Sequence, residues 1–428
     1  MDLLVKDVEI VTPSHARGIE LAKGDIWIRE GIIHQVGGEI AADAQIINGH
    51  GMVAVPGMVN AHTHAAMTLF RGFADDLPLN VWLQDKIWPL EAGLEPEDVY
   101  WGVKLSLLEM IRGGITTYAD MYFFMDEEAR AVEETGVRAS LSKGLIYSEG
   151  KGPDILREGE ALVASWQGKA DGRITAMFGP HAPYTCPPEF LQEVGVLADE
   201  FGVGIHIHVA ETRKEVEEIK EQYRCSPVEL LEQAGILDRH VLAAHCVHLT
   251  EKDIQILSKR GTHVVHNPQS NLKLGSGISP TSALIARNIN VSLGTDGAAS
   301  NNNLDLFEEM RLAALLQKGL LEDPSVLPAE QAFRMATING AFALGLPDVG
   351  RIAPGYKADI VLIDFNKPHL APKFETTAHI VYAAGAADVD TVIVNGTVLM
   401  QDRVMQTLDE EEVIFEASRR AARLAGDR

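Results

Sequence analysis

The sequence predicts an α/β protein built on a (β/α)8 TIM-like barrel, with strand-rich ends that can pair into one small sheet. Three observations lead there. Short apolar runs recur eight times between residues 56 and 350. The segments between them carry helical periodicity. Residues 1–55 and 351–428 instead show closely spaced strands and turns.

In chain order, Leu4–Val11 alternates partly, and Asp25–Ile28 leads into the turn Glu30-Gly31 before Ile32–Val36. These short strands predict a small antiparallel sheet over 1–55, closed by Val55-Pro56-Gly57. The eight barrel runs are Met58–His62, Thr116–Met121, Ala139–Ile146, Ile174–Pro180, Val203–Val209, Val241–Val247, Thr262–His266 and Val291–Gly294. Two helices between them are well marked. One starts at Pro96, carries Val99, Val103, Leu107 and Met110, and stops at Gly113-Gly114. The other has Thr185 as expected cap, Pro187 and Pro188 in its first turn, an apolar face from Phe190 to Phe201, and Gly202 as its end. Eight such units favour a closed barrel over an open doubly wound sheet, and no Gly-x-Gly-x-x-Gly follows an early strand. Residues 351–428 return to strands at Ala358–Asp364 and Thr391–Gly396, then end in a charged helical tail from Asp409 to Arg423.

Composition narrows the function. The 428 residues carry 61 Asp plus Glu against 37 Lys plus Arg, a net charge of −24, which repels a polyphosphate backbone and argues against a nucleic-acid partner. Three cysteines cannot frame a chain of this length with disulfides, which points to the cytoplasm, as does an N-terminus with charges where a signal peptide needs apolar residues. No apolar run reaches the roughly 18 residues of a membrane span, so no membrane role is expected. What stands out is histidine: several of the 15 lie inside apolar runs, where a titratable ring needs a reason.

Four constellations supply one. His62 and His64, at the end of the first barrel run, share a face at i and i+2 and can reach one metal ion; alone, they read equally as two polar loop residues. On the fifth run His208 lies nearer the C-terminal end, where barrel sites sit, while His206 reads as a satisfied interior histidine. Glu211 follows on the loop, either as a surface residue or as a proton shuttle. On the sixth run His245 is a ligand candidate or a buried imidazole on a backbone carbonyl, and Cys246, pointing the other way, is a core residue. Asp296, ending the eighth run before Gly297, is costly there unless paired or bound to a cation, the alternative being a loop Asp in a turn. All four lie at C-terminal strand ends. Three imidazoles and a carboxylate suit Zn2+, with Fe2+ or Mn2+ as alternatives, and such an ion lowers the pKa of a bound water towards about 7.

These residues resemble the amidohydrolase superfamily. The match runs from Pro56-Gly57-Met58-Val59-Asn60-Ala61-His62-Thr63-His64 through His208, His245 and Thr295-Asp296-Gly297 to Gly350–Val361, nearly the whole chain. The resemblance implies a barrel over 56–350 and a composite β-sandwich from 1–55 and 351–428. It also implies one metal ion per subunit, because the fourth run, Ile174–His181, lacks the lysine of binuclear branches. Within the superfamily the chain is most similar to the 5′-methylthioadenosine/S-adenosylhomocysteine deaminases, through Trp82-Leu83, Ile87–Glu91, Gly179–Thr185, His208–Glu211 and Thr295–Asn303. That resemblance implies hydrolytic deamination of an adenosine-type nucleoside, with His62, His64, His208 and Asp296 holding the metal. It implies Glu211 as the acid at N1, and His245 and Asp296 as groups that orient or deprotonate the water. Glu91 and His181 would contact the sugar side, Glu211 and Asp296 the purine, and Trp82 the substrate. A homodimer or tetramer is the implied assembly. One position departs: where the family often carries an Arg for the homocysteine carboxylate, this chain has Lys143, which keeps the charge but loses the fork, with Arg157 a candidate to compensate. Guanine and cytosine deaminases and chlorotriazine hydrolases share the metal frame and form the alternative. A scaffold protein that has lost its ligands is a third reading, disfavoured because the full ligand set is present.

Overall fold

In the computed structural model, which describes residues 2–14 and 18–426, eight parallel strands form one sheet in strict sequence order. They are Met58–Thr63, Ile115–Tyr122, Arg138–Leu145, Ile174–Pro180, Ile205–Val209, Val241–His245, His263–His266 and Val291–Leu293. The sheet curls into a nearly closed barrel. At its seam the Thr295 N–H donates to Asn60 Oδ1 (2.9 Å), Asn60 Nδ2 donates to Thr295 Oγ1 (2.7 Å), and the Asp296 N–H donates to the His62 carbonyl (3.0 Å). The seam therefore delivers Asp296 beside His62. At the opposite end the helix Ile338–Ala343 plugs the barrel, with Gly340 so close to Val59 that a Cβ there would lie 2.8 Å from the valine's.

The helices form for local reasons. Pro96–Arg112 starts with a capping box between Glu95 and Asp98, and Pro188–Phe201 ends at Gly202 in the left-handed region (φ 66°). Thr185 does not cap the latter helix. Its hydroxyl instead donates to the Ala182 carbonyl (3.1 Å) and stands 2.9 Å from His181 Nδ1. The tail is helical over Glu410–Ala425, capped by Asp409, and it docks on Pro96–Arg112 through Arg420 and Arg423 at Asp98.

Nine strands from the two ends make a second sheet. Met52–Pro56 pairs antiparallel with Ile360–Asp364, which joins the N-terminal strands to the C-terminal ones. This β-sandwich unit encloses its own core of Val8, Ile26, Ile28, Ile360 and Leu362. It is mixed rather than antiparallel, because Leu3–Pro13 lies antiparallel to Ile19–Arg29 but parallel to Gln45–Asn48 and Met52–Pro56. The first two strands are also longer than expected, 11 residues each. A bulge with Asp7 at φ 51° shifts the register and breaks the alternation that marks strands in sequence. Among the described residues no helix is long and apolar enough to cross a membrane.

Candidate functional site

The C-terminal mouth of the barrel gathers the predicted cluster. His62 lies near the end of the first strand, and His64 follows it just before the short helical turn Ala65–Phe70. His208 stands on the fifth strand, His245 ends the sixth, and Asp296 follows the eighth. Alternation alone would place His245 on the side of Ala243, which packs in the main apolar core. A left-handed backbone at His245 (φ 72°) brings it instead to the mouth, and Asp296 (φ 61°) is turned in the same way. Cys246 stays fully buried in the core, as its sequence context suggested.

Each imidazole is held by one nitrogen, which leaves the other free. His64 Nδ1–H donates to the Met121 carbonyl (2.7 Å), His208 Nδ1–H to the His181 carbonyl (2.7 Å), and His245 Nδ1–H to Asn271 Oδ1 (2.8 Å). His62 Nδ1 faces His206 Nε2 at 2.8 Å. His206 is thus an interior histidine but only half satisfied: its Nε2 meets a candidate ligand, while its Nδ1 is buried without a hydrogen-bond partner. The free Nε2 atoms converge: those of His64 and His208 are 3.4 Å apart, and Asp296 Oδ1 lies 3.3 Å from His64 Nε2 and 3.6 Å from His62 Nε2. Ligand atoms of His62, His208 and His245, and of His62, His64 and Asp296, form two overlapping groups within 4.8 Å. Buried lone pairs facing each other without a proton between them repel, and His62 Nε2 has no hydrogen-bond partner. A divalent cation removes both costs, so the donor set fits a metal ion.

The electrostatics agree. Burial holds the His62 imidazole down at about 4 despite Asp296, and pushes His208 well below the usual histidine range, so both present neutral, metal-competent nitrogens. Burial opposes ionisation of Asp296, but its contact with His62 and the neighbouring histidines hold the carboxyl well below its usual range. Its other oxygen accepts from Ser270 (2.6 Å) and Ser300 (2.9 Å).

Glu211 faces His245 across 3.8 Å, and its Oε1 accepts from Ser276 Oγ at 3.0 Å. Burial raises its carboxyl, against the pull of His245. Behind it, Glu215 accepts the backbone N–H groups of Ala210 (2.9 Å) and Glu211 (2.7 Å) and fixes that loop. A cavity of about 720 Å3 opens over the cluster, lined also by Trp82, Glu91, Tyr122, His181 and Tyr184. Tyr122 donates to Glu91 Oε1 (2.8 Å), and burial raises the Glu91 carboxyl. Burial likewise holds His181 down at about 3. The Thr185 hydroxyl takes up its Nδ1–H, leaving Nε2 free.

Lys143 is a correction. It is not on the cavity wall: its ammonium lies 2.9 Å from Glu158 and over the Phe123 ring, and the next residue, Gly144, lines the cavity instead. Lys143 is in register with Phe178, whose ring packs against Gly159 of the helix Gly152–Trp166, so its side chain runs outward to that helix. Arg157 does not compensate, since it pairs with Asp154 on the exposed surface. Sequence reasoning placed Ser300 inside the Thr295–Asn303 match without a role, and it missed Tyr122, Ser270, Asn271, Ser276 and Glu215. None of them carries a local pattern, and each acts through a contact between segments distant in sequence or across a loop.

A family model for the amidohydrolase family matches residues 53–399. The chain belongs to the amidohydrolase family. This amidohydrolase is 58% identical to the 5-methylthioadenosine/S-adenosylhomocysteine deaminase of Pelotomaculum thermopropionicum, over 88% of this chain and 87% of that one. It is 51% identical to the 5′-deoxyadenosine deaminase of Methanosarcina mazei, over 99% and 98%. Among solved structures it is similar to an adenosine deaminase from Xanthomonas campestris with bound zinc, with a TM-score of 0.93, 36% identity and coverage of 99% and 98%.

Proposed function

We propose that this amidohydrolase is a metal-dependent deaminase of adenosine-type nucleosides, converting the adenine base to hypoxanthine with release of ammonia. One observation carries the reading. The metal-competent cluster and a protonatable Glu211 line one cavity, and the same cavity holds a second polar group, Glu91 with Tyr122, suited to a sugar. The names of the relatives support it.

His62, His64, His208 and Asp296 hold one divalent ion per subunit, zinc by the chemistry of the set and by the zinc in the similar adenosine deaminase. When bound, the ion supplies Lewis-acid charge that activates water at neutral pH and stabilises charge developing at C6. Glu211, kept protonatable by burial, delivers its proton to N1. His245, locked on Asn271, and Asp296, locked on Ser270 and Ser300, orient the attacking water and take its proton, which leaves with ammonia. Glu91 accepts the ribose hydroxyls, steadied by Tyr122, and His181 offers its free Nε2 to the nucleoside. Trp82 walls the cavity beside them.

The cavity lining contains no Lys or Arg among the described residues. A carboxylate-bearing 5′ tail finds no counter-charge in this lining, and Arg213 and Lys214 line the adjoining pocket instead. 5′-Methylthioadenosine, 5′-deoxyadenosine and adenosine need no such partner, whereas S-adenosylhomocysteine has to reach that pocket to find one. Three free, buried cysteines support a cytoplasmic setting. Homo-oligomerisation as a dimer or tetramer completes the reading and is checked by light scattering. Steady-state assays of ammonia release across these four nucleosides, guanine and a chlorotriazine test the substrate class. Turnover of guanine or the triazine, with none of any nucleoside, overturns it.

A further inference from the structure

A second chamber, partly open to solvent, adjoins the first. The two share Leu79, Leu83, Trp88, Tyr184, Glu211 and Leu274, so they communicate beneath one roof. None of His64, His208, His245 and Asp296, which line the first chamber, lines the second. It begins at Glu211 and extends away from the reacting centre, past Ser276 and Gly277.

Glu211 stands on the boundary, and its two oxygens are not equivalent. Oε2 faces His245 Nε2 in the first chamber. Oε1 accepts from Ser276, which lines only the second. In adenine C6, N1 and C2 are consecutive ring atoms. With C6 at the metal cluster and N1 at Glu211, the next ring atom is C2, and Glu211 is where the second chamber opens from the first. A carboxylate that meets N1–H with one oxygen presents the other to a neighbouring N–H donor, the parallel two-bond arrangement that makes such pairs strong and specific. Oε1 retains a lone pair after accepting from Ser276.

We propose that the enzyme also deaminates adenine nucleosides that carry an amino group at C2, the 2,6-diaminopurine nucleosides, and that the second chamber receives their C2 edge. This rests on the adenosine-deaminase reading above. In the reaction, water adds its oxygen to C6 and the C6–N6 bond breaks. One water proton leaves on ammonia and the other ends on N1, while the C2 amino group is retained. The products are a guanine nucleoside and one ammonia.

The test compares 5′-deoxyadenosine with 2-amino-5′-deoxyadenosine on the zinc-loaded enzyme, by ammonia release and product chromatography. The expected kcat/KM for the 2-amino compound is at least a tenth of that for the parent, with the guanine nucleoside as product. A value below a tenth, with the parent turned over, overturns the proposal and leaves the adenosine reading intact. Turnover of neither overturns both. Gln84→Trp, at an exposed roof position lining only the second chamber, places the assignment in space. It should lower kcat/KM for the 2-amino compound tenfold or more and leave the parent within twofold. Absence of a selective loss overturns the chamber's role.

Discussion

Glu211 and His206 show how differently two buried side chains serve one centre. Glu211 lines the cavity, so Glu211→Gln keeps the size of the side chain but removes its capacity to take up and give back a proton. The account predicts full metal occupancy by elemental analysis and a loss of at least about 100-fold in kcat, the usual scale of a general acid. His206 touches no part of the cavity and acts through the His62 ring. His206→Phe should leave the fold intact and weaken metal binding by about 10- to 100-fold in a chelator competition, as loss of a ligand's hydrogen-bond partner does. Unchanged affinity would reduce His206 to packing. The candidate ligands were legible because a histidine in an apolar run is conspicuous and because the direction of the chain along a barrel strand tells which of His206 and His208 lies nearer the mouth. Lys143 was misplaced because a residue count does not say which face of a strand a position takes. Its register with Phe178 sends it to the outer helix layer.

At the level of elements, the barrel order and the two marked helices followed from the alternation of apolar runs with helical stretches. The mixed second sheet did not, because parallel pairing of Leu3–Pro13 with Met52–Pro56 is a long-range choice with no local pattern. The loop after the fifth strand carries a prediction of its own. Burial raises the Glu215 carboxyl to about 7, although two backbone N–H groups favour its ionised form. A folded-state value above the ordinary 4.5 means the folded protein holds this proton more tightly than the unfolded chain. The stabilisation is therefore complete below about pH 4.5 and is lost as pH rises through about 7. Glu215→Gln should flatten that part of the profile. Tm of both proteins at pH 5 and pH 7.5 gives the comparison, and parallel slopes would contradict the assignment.

Across the whole molecule, the barrel and the sandwich are fastened by a buried ion pair. Arg138, on the third barrel strand, donates to both oxygens of Asp359 (2.9 and 3.2 Å), with both side chains almost fully buried. Asp359 also accepts the N–H of Asn395. Removing one partner strands a buried charge, so Asp359→Ala should cost about 3–5 kcal/mol in urea denaturation. Because the pair is remote from the mouth, kcat of the folded variant should stay unchanged. The strongly acidic surface has no part in this chemistry, and it suits a single nucleoside as partner better than a polyphosphate chain. The central claim is that the protein deaminates an adenosine-type nucleoside and needs a divalent metal at its barrel mouth to do so. Ammonia release from 5′-deoxyadenosine, measured before chelation, after complete metal removal and after adding back zinc, tests it most directly. The account predicts one ammonia per inosine analogue formed, activity lost with the metal and restored by zinc. A metal-free protein that still deaminates at the original rate, or a zinc-loaded one that releases no ammonia, would contradict it.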